Sequence, residues 1–271
     1  MARLSGYMDT ETETSVPHLR GQGASQVAAE RPVRLMLLGG FTLLHGADEI
    51  VVPASAQRLI AFLGLRERPL SRPYVAALLW PNCSAERSQA DLRTALWRAN
   101  RSLIPVISTT GMRLHLRSEV QVDTRMLAVL GCITAQHTPR DLIARLAGIS
   151  LTELSYELLP DWYDDWLIEE REAIRQLRLH ALEGLAAEFS VLGRHAQAIH
   201  AALIAVRLEP LRETAHTALI RAYLAEGNRS EALRQFNRYR ELLSAELGVE
   251  PPELMRSLVH DVAGQSRSRS A

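Results

Sequence analysis

Arg93, Trp97 and Arg101 recur at every fourth position of the stretch ADLRTALWRANRSL, residues 90 to 103, with Thr94 and Arg98 beside them. Guanidinium groups spaced along a helix suit one chemistry above others: bidentate hydrogen bonding to the O6 and N7 edge of guanine, or contact with phosphate oxygens. At about 100° per residue these side chains fall on one side of a helix. Leu92, Ala95, Leu96, Ala99 and Leu103 fall on the other side, where a core would cover them. A polar face of this kind is ordinarily a solvated surface. Solvation does not account for the tryptophan among the arginines. Three uses stay open for Trp97: contact with DNA, packing under a hairpin wing, or cover for an arginine stem.

The rest of the sequence offers little competing chemistry. The 31 Lys and Arg residues are all arginine, so neither the phosphate-reaching lysine of a P-loop nor a Schiff-base amine exists. Cys83 and Cys132 are too few for a disulfide framework or a thiolate metal site and read as small hydrophobes in a reducing compartment. Asp161, Asp164, Asp165, Glu169 and Glu170 crowd what reads as a helix N-terminus, where the macrodipole favours carboxylates, and their spacing matches no cation loop. Trp162 and Trp166 among them read as packing. His195, His200 and His216 have no partner at zinc-ligand spacing. No catalytic residue, metal or cofactor is expected.

The net charge of zero conceals a division. Residues 32 to 130 hold 12 arginines against 7 acids, and residues 131 to 262 hold 14 against 20. A basic half joined to an acidic half implies two different partners, with nucleic acid suited to the first. No apolar run is long enough to cross a membrane, and the start lacks a signal-peptide core, so a cytoplasmic protein is expected.

Residues 1 to 31 are polar and aperiodic and read as a disordered leader. VRLMLLGGFTLLHGADEIVV reads as two or three short strands, and SAQRLIAFLGLRER as a first helix with Ser55 as its candidate cap. LSRPYVAALLWPN reads as a second helix from about Ser71 to Pro81. The arginine-bearing stretch is the third helix, starting at Ser84 or at Ser88. VISTTGMRLHLRSEVQVD alternates about Thr110 and Gly111 as a hairpin would. Strands, three helices and a hairpin give the order of a winged helix-turn-helix, whose third helix enters the major groove while Arg113 on the hairpin reaches an adjacent groove or phosphate.

The second half is helical and carries an internal repeat. LAAEFSVLGRHAQAI, residues 185 to 199, aligns with LIRAYLAEGNRSEAL, residues 219 to 233. Leu185 matches Leu219, Phe189 matches Tyr223, Gly193 matches Gly227 and Ala198 matches Ala232, each offset by the 34 residues of a tetratricopeptide repeat. A further helix from about Pro251 would cap the array.

Together these residues resemble the Streptomyces antibiotic regulatory protein family, over roughly residues 32 to 262. The second half carries the more specific match, in DWYDDWLIEEREAIRQLRLHALEGLA, EPLRETAHTALIRAYLAEGNRSEALRQFNRYRELL and ELGVEP. In the first half the match lies in LLWPNCSAERSQADLRTALWRANRSL and the GMRLHL wing, with Ala99, Asn100 and Met112 departing from the family's usual pattern. The resemblance implies a mainly α chain. Its N-terminal α+β winged helix-turn-helix, of response-regulator type, would span residues 32–125. An all-α tetratricopeptide-like bacterial transcriptional activator domain would span 126–262, before a disordered tail at 263–271.

It further implies an activator that binds direct repeats in double-stranded promoter DNA, as a dimer on the DNA, and engages RNA polymerase and its principal sigma factor. Control of a secondary-metabolite gene cluster would follow. Arg93, Thr94, Trp97, Arg98 and Arg101 would lie on the recognition helix, Arg58 would touch phosphate from the first helix, and Arg113 would lie on the wing. The expected chain lacks the ATPase module of longer members and any receiver domain. The alternatives are a helical-repeat adaptor, which would not need the arginine face, and a DNA-binding repressor.

Overall fold

The structure, a computed structural model, describes residues 31–101, 104–133 and 151–267. The leader apart from Arg31, Leu103 and the end of the expected tail lie outside the described residues. Strands β1 (Val33–Met36), β2 (Thr42–His45) and β3 (Asp48–Glu49) form the expected antiparallel meander. Then come α1 (Ala54–Gly64), the two-residue strand β4 (Leu70–Ser71), α2 (Arg72–Leu79) and α3 (Ala85–Asn100). Strands β5 (Ile107–Thr110) and β6 (Arg113–Leu116) make the hairpin, and β4 extends it to a three-stranded wing in the order β4-β6-β5. The chain then returns through β7 (Val120–Val122), which pairs parallel to β1 and completes the order β3-β2-β1-β7. Strands, three helices and a wing are the winged helix read from the sequence.

The caps settle where the helices start. Ser84 accepts a hydrogen bond from the Arg87 amide at 3.3 Å and begins α3; Ser88 lies inside the helix, its hydroxyl donating to the Ala85 carbonyl at 3.0 Å. Ser55 is not the cap of α1. Pro53 precedes that helix with no side-chain cap, and the Ser55 hydroxyl accepts from Arg98 instead, at 2.9 Å. Cys83 corrects a second expectation: it sits exposed in the turn after Pro81 rather than filling a core.

The helical half comprises α4 (Asp123–Ile133), a 3₁₀ turn (Glu153–Ser155), and α5 (Trp166–Val191), α6 (His195–Leu208), α7 (Glu213–Glu226), α8 (Arg229–Leu247) and α9 (Glu253–Arg267). The repeat has the geometry its spacing predicts. Gly193 and Gly227 take left-handed φ values of 71° and 86° where α5 and α7 end, a conformation open to glycine at no steric cost. Leu185, Leu219, Phe189, Ala198 and Ala232 are buried between helices. Helix α4 crosses the expected boundary at residue 125. Helix α9 continues to Arg267, five residues into the expected tail, because no proline stops it.

One core runs from the β1 strand through α1, α2 and α3 into α5, α6 and α7, and a smaller cluster around Phe236, Tyr239 and Met255 closes the C-terminal end. The halves are joined by ordered packing. Phe62 meets Trp166 edge-on with ring centroids 5.2 Å apart, and Phe41 stacks on Trp162 at 6.2 Å. Arg66 pairs with Glu170 at 2.6 Å, its guanidinium lying 4.8 Å over the Phe62 ring. Arg58 pairs with Asp164 and donates to the Leu79 carbonyl at 3.0 Å. The acidic cluster at residues 161–170 therefore does more than favour a helix end: two of its members are counter-ions for Arg58 of α1 and for Arg66 just beyond it.

The tail of β1 is gripped from both sides. The Leu37 and Leu38 amides donate to Asp123 Oδ2 at 2.8 and 2.9 Å, and the Thr124 amide donates to Oδ1 at 2.7 Å. From the other side the Leu159 amide donates to the Leu37 carbonyl at 2.9 Å, and the Gly39 amide to the Glu157 carbonyl at 2.7 Å. Burial pushes the Asp123 carboxyl above the ordinary carboxylate range, against the opposing pull of its three amide donors. In the repeat, His216 is buried, stacks on Tyr239 at 4.0 Å and accepts from Gln235 Nε2 at Nδ1. Its Nε2–H then donates to the Pro210 carbonyl at 2.8 Å. Desolvation holds its pKa below the ordinary 6.5.

Three outcomes are expected. Asp123→Ala leaves three amides without this acceptor and lowers the free energy of unfolding by about 1–3 kcal/mol in urea titrations, with Asp123→Asn costing less. Because folding depresses the His216 pKa, the unfolded chain binds the proton first. Stability is therefore present above about pH 6.5 and lost below it. Thermal melts from about pH 7.5 down to 5.5 will show that loss, and it will shrink in His216→Gln. Arg58→Ala will cost about 1–3 kcal/mol of stability in urea titrations, since it strands Asp164.

Candidate nucleic-acid interface

Helix α3 places the five expected residues on its outer side. Leu92, Ala95, Leu96 and Ala99 are buried against the core, and Arg93, Thr94, Trp97, Arg98 and Arg101 are exposed. The alternation read from the sequence is the alternation that packing enforces. The five are not equivalent. Arg93 has no hydrogen-bond or ion-pair partner among the described residues, so its guanidinium is available to a ligand. Arg98 spends one nitrogen on Ser55 Oγ and is thereby steered towards the start of α1. Thr94 donates its hydroxyl to the Ala90 carbonyl at 3.1 Å, one turn back, keeping its acceptor capacity free.

Trp97 makes a contact with an arginine and stays exposed. It is 59% exposed, and the Arg101 guanidinium lies 4.8 Å over its ring. The indole therefore covers an arginine and still presents area to solvent. Beside this pair lies an open notch between α3 and the wing, lined by Arg72, Leu96, Trp97, Asn100, Arg101 and Thr109. Arg72 belongs to the basic surface and was missed in the sequence. It sits at the first position of α2, where it reads as a helix start, and β4 pairing brings it to the wing. Its amide donates to the Met112 carbonyl at 2.9 Å, while its Nε is buried with no partner.

The wing carries Arg113, exposed on β6 opposite Thr110. Gly111 makes the turn with φ at 59°, and Met112 at the tip is 64% exposed. Arg113 thus comes from the wing, and Arg93, Arg98 and Arg101 come from α3 and its C-cap. Arg58 is not brought to this surface, being held by Asp164 and Leu79. Among the described residues no group of histidine, cysteine and carboxylate side chains is arranged to hold a metal ion, and no helix is long and apolar enough to cross a membrane. An exposed row of cations around a large aromatic on a helix, flanked by a cationic hairpin, is equipped to bind a polyanion and to read base edges.

Residues 152–263 match the family of the bacterial transcriptional activator domain. No curated protein matches the chain. Among solved structures, Mycobacterium tuberculosis EmbR in complex with a low-affinity phosphopeptide is similar over 87% of this chain and 66% of that chain, with a TM-score of 0.57 at 21% identity. The chain thus spans just under two thirds of the length of EmbR, and the likeness is one of fold. Residues 152–263 thus resemble a bacterial transcriptional activator domain and lie behind a winged helix, and the likeness to EmbR is one of fold alone.

Proposed function

We propose that the chain is a sequence-specific DNA-binding activator that docks α3 in the major groove of promoter repeats and presents its helical array to RNA polymerase and the principal sigma factor. The exposed face of α3 carries the reading. Arg93 has no partner among the described residues, and Trp97 with Arg101 forms a preformed aromatic–cation pair beside it. Arg93 and Arg98 read bases, Arg113 steadies the wing on phosphate, and Thr94 and Trp97 contribute surface next to them. Pairing of two copies on direct repeats supplies the buried area that one winged helix lacks. The polymerase assignment draws on the family of residues 152–263, and control of a secondary-metabolite cluster draws on the overall resemblance.

The test is binding of the full chain to genomic fragments selected for affinity, followed by fluorescence anisotropy on the selected site and a scrambled duplex at two salt concentrations. Arg93→Ala is expected to cost about 1–3 kcal/mol at the selected site and to relax sequence preference there, with the unfolding curve unchanged. Arg113→Ala is expected to weaken both duplexes alike and to reduce the salt slope by about one. Selection of no fragment above the scramble at low salt would replace this reading with that of a helical-repeat adaptor.

A further inference from the structure

Away from the DNA face, α5, α6 and the segment around the 3₁₀ turn enclose a cavity of about 550 Å³. A second cavity of about 390 Å³ shares Ser155, Arg207 and Leu208 with it. Four guanidinium groups line the larger one, from Arg171, Arg175, Arg178 and Arg207, against two carboxylates, Glu157 and Glu172. Three of the cations are already engaged to different degrees. Arg171 donates to the Leu158 carbonyl at 3.0 Å and to the Trp162 carbonyl at 2.6 Å, and Arg175 pairs with Glu172 and Glu209. Arg178 is 2% exposed and donates through Nε to the Leu154 carbonyl at 2.8 Å, yet its Nη2 is buried with no hydrogen-bond partner. Arg207, at the exposed rim, makes no ion pair among the described residues.

A buried guanidinium nitrogen without an acceptor is costly, and folded proteins satisfy such groups almost without exception. Here the unsatisfied nitrogen belongs to a residue that lines a cavity with an excess of cations. Ile168 and Leu208 supply apolar wall on the same cavity. Its size falls in the range that holds a small organic molecule. We infer that this cavity is an effector site for a small amphipathic anion, a phosphate ester or a carboxylate with an apolar body, whose oxygens accept from Arg178 Nη2 and from Arg207. Fork-shaped guanidinium groups bind either head group through paired N–H donors.

The position gives such a ligand a route to the DNA-binding half. Ser155 and Glu157, both on the cavity wall, belong to the segment whose far side bonds to β1 through the Glu157 carbonyl and the Leu159 amide. A ligand on Arg178 Nη2 shares a guanidinium with the Leu154 carbonyl, which Nε holds, and so is coupled to that segment.

The experiment is isothermal titration of the full chain, without DNA, with phenyl phosphate, benzoate and inorganic phosphate, against sodium chloride at matched ionic strength. Saturable binding of phenyl phosphate or benzoate is expected, weakened about tenfold or more by Arg207→Ala and by Arg178→Lys. Tighter phenyl phosphate assigns a phosphate ester, and tighter benzoate assigns a carboxylate. Arg207 is exposed, so its variant reports on binding even where Arg178→Lys disturbs the fold. Heats no larger than the chloride control for both organic anions, or binding that Arg207→Ala leaves within twofold, would overturn the assignment. Because no DNA is present, that failure is separate from any failure of the DNA-binding reading.

Discussion

The backbone from Leu37 to Gly39 is the constraint around which the molecule is arranged. Leu37 and Leu38 are buried, so their backbone groups must find partners, and the partners of this stretch come from two distant parts of the chain: Asp123 at the start of α4, and residues 157–159 ahead of α5. Meeting that one demand brings β7 back beside β1 and seats the head of the activator domain on the strand tail. Arg171 and Arg178 then hold the outer side of the same segment by its carbonyls. The positive φ of 42° at Leu159 lies within this gripped stretch, a backbone conformation that the surrounding bonds enforce.

Local pattern made much of this legible. The 34-residue offset located the paired helices because glycine must close a turn and alanine must admit a close helix, and Gly193, Gly227, Ala198 and Ala232 do those things. The faces of α3 followed from a single angular period. What pattern could not supply was partnership across long separations. Arg58 and Asp164 are 106 residues apart, and nothing within a helical window connects them. The same blindness assigned the carboxylates near Trp166 to a helix dipole when two of them pair with Arg58 and Arg66. Arg72 was missed for a related reason, since its place beside Trp97 depends on strand pairing.

These pairings change the meaning of the charge division. The basic excess of the first half was read as charge available to nucleic acid. Arg58 and Arg66 are instead neutralised by acids of the second half, so the two excesses partly cancel inside the protein. Arg93, Arg98, Arg101 and Arg113 stay exposed and make no ion pair among the described residues. A modest overall imbalance is thereby compatible with a strongly polarised surface.

The shared core between the winged helix and the helical array has a geometric consequence. With Phe62 against Trp166 and Phe41 against Trp162, the array cannot swing freely on a linker once α3 is seated. On the proposed reading, the docking angle of one helix in a groove fixes the direction in which α6 to α9 project. That direction turns with the duplex, once in every 10–10.5 base pairs or so. The rotational phase of a site, as well as its distance from the start of transcription, becomes part of what the protein measures.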